Sequence, residues 1–342
     1  FHFFKTDAFI SVLDRGLLII VGGLLLFSPW APKNLQIEWF IWIQTFCYGT
    51  TLIVGFILLI KHLNRPYFSW DPAFSIELIK KSWPYALLIV LMLLYTRVDG
   101  VMLERMLING AYESGVYAQG FRLLDALYMF GMIFAGLLFP LFSKQLKESI
   151  PAVLELVKTS ANLLLSGVLI IIFITCYNSS FLLGLIYSDY QEAIEPFQFL
   201  MLGFFPICMN FIFGTLLTAN GNLKALNFIS LGGIIANVCI NLWLIPKHGA
   251  LGAAIATFFT QLVTAILQYF YCVVKFKIPI KIIGFLKFAV LIVGLFGVSH
   301  YFNNCDYLIL LQLIVGFFLT FTLSLIDLSS MKELYFSSRR IK

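Results

Sequence analysis

Long apolar runs separated by short polar breaks fill the chain, and none shows the every-second-residue alternation of a barrel strand. A helix rises 1.5 Å per residue, so about 20 apolar residues cross a hydrocarbon layer roughly 30 Å thick. The pattern therefore predicts ten spanning helices, at about 8–27, 39–60, 83–104, 115–140, 159–178, 194–217, 224–245, 249–273, 282–300 and 306–326. The clearest are "EWFIWIQTFCYGTTLIVGFILLIKH" and "GALGAAIATFFTQLVTAILQYFY". The expected fold class is all-α and polytopic. The longest hydrophilic connection is 61–82, "KHLNRPYFSWDPAFSIELIKKS". Its "DP" reads as Asp71 capping a helix that opens with Pro72 and runs from the membrane surface into the third span. Other loops are short, which makes the spans antiparallel neighbours.

Composition agrees with this reading. The chain is 61% hydrophobic and 12% charged, with mean hydropathy +0.94, against about 45–50% and 25% in soluble domains. The apolar excess extends along the whole length, which excludes a soluble domain on one anchor. With ten spans, both termini fall on one side. The loops of that side carry 17 of the 23 Lys and Arg, while Lys33, Arg105 and Lys247 stand opposite. This split predicts cytoplasmic termini in the inner (cytoplasmic) membrane. A basic face beside anionic lipid accounts for the net charge of +6, so no nucleic-acid partner is expected. The chain opens "FHFFKTD", with neither an initiator Met nor a signal-peptide pattern, and is expected to be a piece of a longer protein.

Chemistry is sparse. The six cysteines form no CxxC and the four histidines are isolated, so neither a metal nor a cofactor is expected. No Walker loop, GxGxxG or GxSxG appears, and an enzyme is not expected. What stands out is charge within predicted spans: Asp14 and Arg15 in the first, Arg97 and Asp99 in the third, Arg122 and Asp125 in the fourth. Each costs at least about 2.5–3.5 kcal/mol in hydrocarbon, and such residues are candidates for function. Arg97 and Asp99, two apart, point to nearly opposite helix faces. Arg122 and Asp125 are i, i+3 and can satisfy each other. Asp14 and Arg15 lie about 10 Å from the cytoplasmic end, within reach of snorkelling. Gly252 and Ala256 have small-xxx-small spacing, Asn237 and Asn241 form an i, i+4 polar stripe suited to interhelical hydrogen bonds, and Pro206 predicts a kink.

Two stretches carry a resemblance. "GTLLTANGNLKALNFISLGGIIANVCINLWLIPKHGALGAAIATFFTQL" (214–262) resembles the C-terminal bundle of polysaccharide flippases, members of the multidrug/oligosaccharidyl-lipid/polysaccharide (MOP) superfamily. "RVDGVMLERMLINGAYESGVYAQGFRLLDAL" (97–127) is similar to the family's Asp-bearing helix, Gly-containing turn and "GxYAxAxRL", with Gly120 in place of an Ala-like residue. The resemblance implies a MATE-like fold of two six-helix bundles with two further helices. On that plan 1–60 holds the last two helices of the N-terminal bundle and 61–82 is the cytoplasmic connection. Residues 83–273 form the C-terminal bundle, 274–342 the two extra helices and a cytoplasmic tail, and about four helices precede the chain.

The resemblance also implies the substrate, a polyprenyl-diphosphate-linked glycan moved across the lipid bilayer by alternating access through a hydrated cleft. Arg97, Arg122 and Arg15 are then candidates to hold the diphosphate, since a guanidinium pairs bidentately with phosphate and stays charged. Asp99, Asp125 and Asp14 either neutralise those arginines or take a coupling proton or Na+. We expect one arginine to be neutralised across helices by Asp99 or Asp125, leaving Arg122, which begins "RLLDAL", for the substrate. Competing readings are a lipid II flippase, a drug/cation antiporter of the same superfamily, and a membrane-embedded polymerase or glycosyltransferase. The arginines argue against the antiporter, and the short outward loops against the enzyme.

Overall fold

The structure is a computed structural model that describes residues 4–27, 37–62, 71–279, 282–302 and 307–326. Among these residues every regular element is helical. Each of the ten expected spans falls on a helix or on half of one. Among the described residues seven helices are long and apolar enough to cross a membrane by length and composition.

The chain divides into two compact units, Phe1–Ile76 and Glu77–Lys342. In the first, α1 (Phe4–Phe27) packs against α2 (Ile37–His62). The hydroxyls of Thr45, Thr50 and Thr51 donate to carbonyls four residues back, which satisfies these polar side chains within their own helix.

α3 (Pro72–Met106) begins as its sequence predicts. The Asp71 carboxylate accepts from the amides of Ala73 at 2.9 Å and Phe74 at 3.3 Å, filling donors that the first turn leaves unpaired. α3 runs into the second unit, followed by α4 (Gly110–Glu148), α5 (Ile150–Tyr177) and the short α6 (Ser179–Gly184). Next come α7 (Ile194–Ala219), α8 (Leu223–Phe276), α9 (Ile282–Tyr301) and α10 (Leu308–Thr322). α7 is central, packed against α4, α5 and α8, with Phe197, Leu200, Met201, Ile212, Leu216 and Leu217 wholly or almost wholly buried. It stays helical through Pro206.

Lipid tails are as apolar as leucine, so close packing and polar bonds hold such helices together rather than hydrophobic burial. Gly120 shows the packing. A Cβ there would sit 3.0 Å from the Cα of Phe197, so the departure from an Ala-like residue lets α4 lie on the α7 backbone. Gln312 shows the polar bonds. It donates to Ser299 Oγ at 2.8 Å and accepts from Asn178 at 3.1 Å, tying α10 to α9 and to the end of α5.

α8 is 54 residues long and breaks at Gly249, whose φ of 51° and ψ of −129° are non-helical. Its halves, α8a (223–248) and α8b (250–276), correspond to the seventh and eighth expected spans. Gly233 of α8a lies against Thr264 of α8b, and Gly252 against the Leu244 carbonyl, contacts that require an antiparallel pair. Gly252 thus provides the close approach its spacing predicts.

Candidate functional site

The site is built on the C-terminal half of α3. Positions 97 and 99 are about 200° apart on a helix, and the two charges separate accordingly: Arg97 is exposed while Asp99 is completely buried. Asp99 faces α4 and α8. Its Oδ1 accepts from Asn241 Nδ2 at 2.6 Å, and its Oδ2 accepts from Thr257 Oγ1 at 2.6 Å and from Tyr117 OH at 3.1 Å. Asn241 also donates to Asn237 Oδ1 at 3.0 Å, and the Tyr117 and Thr257 hydroxyls are 3.1 Å apart. Three helices thus meet on one carboxylate, and no arginine or lysine is among its partners.

That donor set has a definite chemistry. Among the described residues no group of three or more His, Cys, Asp or Glu is placed to hold a metal ion. A single buried carboxylate met only by neutral amide and hydroxyl donors is a group that a proton or a monovalent cation can neutralise.

The other face of α3 carries the arginine chemistry. Arg97 Nη2 donates to both carboxylate oxygens of Asp125 on α4, at 2.9 and 3.2 Å. The same guanidinium lies 5.0 Å from the centre of the Phe121 ring, a cation–π contact one turn before Asp125. The i, i+3 pairing of Arg122 with Asp125 is not formed; Asp125 turns to α3. Arg122 is exposed and forms no hydrogen bond or ion pair among the described residues. It lines an open concavity of about 440 Å³ with Tyr112, Gly115, Gln119, Tyr187 and Asp189. Gln119 holds one wall by donating to the Asp189 carbonyl at 3.0 Å. A cation, a carboxylate, two phenols and an amide converge there, a combination that offers several hydrogen bonds to a hydroxyl-bearing ligand and one guanidinium to an anionic group.

Asp14 and Arg15 lie on α1 in the first unit, half-buried and exposed respectively, and Arg15 has an interaction of its own. Sequence reasoning missed Tyr117 and Thr257, which read as ordinary helix residues until α3, α4 and α8 are brought together. It also missed Glu113, which accepts from the Ala250 amide at 2.8 Å and so caps α8b beyond the Gly249 break. The "GAYE" at the start of α4 and the "HGA" at the break were the available signals.

A sequence model described as "polysaccharide biosynthesis protein" matches residues 2–146. A search of curated proteins gives no match. Among solved structures the chain is similar to a lipid II flippase, MurJ, in an inward closed conformation, with a TM-score of 0.68 at 15% identity. That similarity covers 93% of this chain and 66% of the flippase, so the chain spans a little under two thirds of its length. A MOP superfamily transporter from Pyrococcus furiosus is also found, at 16% identity and a TM-score of 0.42, covering 76% of this chain and 67% of that one. The chain therefore resembles the polysaccharide biosynthesis family over residues 2–146 and shares the fold of the MurJ structure.

Proposed function

We propose that the protein moves a polyprenyl-diphosphate-linked oligosaccharide across the cytoplasmic membrane for cell-surface polysaccharide assembly, by alternating access. The observation that carries this reading is the unequal state of two arginines. Arg97 is neutralised by Asp125, whereas Arg122 has no ion-pair partner among the described residues and lines an open concavity with Tyr112, Gln119, Tyr187 and Asp189. A diphosphate carried through hydrocarbon is prohibitively costly without such a group. Arginine supplies a permanent charge and a planar fork that matches phosphate oxygens. The phenols and the amide offer stacking and hydrogen bonds to sugars. In this reading the protein acts as a carrier. A lipid II flippase is the second reading, favoured by the fold of the similar structure; the match over residues 2–146 favours other glycans.

Asp99 is the proposed coupling site, binding a proton or a monovalent cation. Its occupancy would alter how tightly α3, α4 and α8 are tied, because the same oxygens that bind the cation accept the interhelical hydrogen bonds. Both termini are proposed to be cytoplasmic, from the charge asymmetry of the loops.

The test is translocation of a diphosphate-linked oligosaccharide in proteoliposomes, with and without a proton or Na+ gradient. The expected result is gradient-stimulated transport for the wild type and gradient-indifferent transport for Asp99→Asn. Transport of a neutral glycolipid at the same rate as the diphosphate would overturn the substrate assignment. Equal stimulation of Asp99→Asn would overturn the coupling assignment.

A further inference from the structure

We propose that a hydrated polar track leads from Asp99 along the interface of α7 and α8 to the lysine-bearing end of the second unit, and that it carries the coupling proton or cation. This rests on the reading of Asp99 as the coupling site. The track begins with spacing. Thr257, Thr260, Gln261, Thr264 and Gln268 recur at i, i+3, i+4, i+7 and i+11, so they share one face of α8b about 100° wide. All five are buried, while Phe259, Val263, Ile266, Leu267 and Phe270 on the other face are exposed. From Thr257 to Gln268 the stripe covers about 16 Å of helix. It runs from the carboxylate toward Lys275 and Lys277.

The facing walls are polar too. On α8a, Ser230, Asn237 and Asn241 line the antiparallel partner face, with Gly233 set against Thr264. On α7, Asn210 donates to Gln261 Oε1 at 3.0 Å and to Thr264 Oγ1 at 3.2 Å. One turn further along α7, a Cβ on Gly214 would lie 3.0 Å from Gln268 Oε1, so this glycine leaves the amide its room.

If these side chains served only to hold helices together, their polar atoms would be paired with one another. Five are not. Asn241 Oδ1, Asn237 Nδ2, Thr260 Oγ1, Asn210 Oδ1 and Gln268 Oε1 are shielded from solvent and have no protein partner. Within a bilayer an unpaired polar atom is strongly disfavoured, and such groups call for water or an ion. Their order along the helices makes a continuous series of sites, each within a helical turn or two of the next. Water in that series gives a small cation or a proton a route that a lipid-linked sugar cannot enter.

The test is thiol access. Thr260→Cys and Gln268→Cys are placed singly in a chain whose six native cysteines are replaced by alanine, and oriented proteoliposomes receive Ag+ on the lysine-bearing side. Access governs thiol reaction, and both positions are expected to react at least about ten-fold faster than Val263→Cys on the lipid face. If Thr260→Cys does not insert, Ser230→Cys on the facing wall replaces it. Rates equal to that of Val263→Cys, or access from the opposite side alone, would overturn the track. Silver access combined with gradient-indifferent wild-type transport would instead remove the coupling reading and leave the hydrated track standing.

Discussion

At the residue scale, the four charges within the spans of α3 and α4 meet different fates. Asp99 is enclosed by neutral donors, and Arg97 and Asp125 neutralise each other across α3 and α4. Arg122 is left to line a concavity. The Arg97–Asp125 pair is testable by a double-mutant cycle, since removing one partner leaves a lone charge in the membrane while removing both leaves none. Arg97→Ala and Asp125→Ala are each expected to lower membrane accumulation and melting temperature, and the double variant to recover most of both. Additive losses, measured by quantitative blotting and thermal unfolding in detergent, would show that the pair is not coupled. The opposite orientation of Arg97 and Asp99 follows from their spacing alone and was legible in the sequence. The choice of Asp125 over Asp99 as the arginine's partner was not. It depends on which α3 face receives Asn241 and Thr257 of α8, 142 and 158 residues away in the chain, beside Tyr117 of α4.

At the element scale, the sequence showed the spans well because hydrophobic length is a local property. Asp71 before Pro72 also marked the start of α3. The break in α8 was legible as a turn near "KHGALG", but its fastening was not, since Glu113 reaches it from the start of α4. Gly249 has a positive φ, and a Cβ there would collide with the Glu113 carboxylate. Gly249→Ala is therefore expected to destabilise the protein by roughly 1–3 kcal/mol, from backbone strain together with the displaced cap. Glu113→Ala should cost about 0.5–2 kcal/mol as a lost helix cap, and Glu113→Gln, which keeps an acceptor oxygen, should cost less. Chemical unfolding of the three variants in detergent gives the order. A Gly249→Ala protein as stable as wild type would mean that the break does not need glycine.

At the scale of the whole molecule, the proposed substrate group, Arg122, stands on α4, and the proposed coupling group, Asp99, is buried where α3, α4 and α8 meet. The proposed orientation rests on the charge split among loops, and two cysteines test it. Ser188→Cys, in the connection before α7, should react with an impermeant maleimide in intact cells, and Ser69→Cys, which lies outside the described residues, should not. The reverse pattern would invert the topology. The central claim is that Arg122 binds the diphosphate, and the most direct measurement is the translocation rate of Arg122 variants. Arg122→Ala should abolish translocation of the diphosphate-linked oligosaccharide while leaving membrane insertion and melting temperature unchanged, and Arg122→Lys, which keeps the charge but loses the fork, should retain part of the rate. Wild-type translocation by Arg122→Ala would contradict the account.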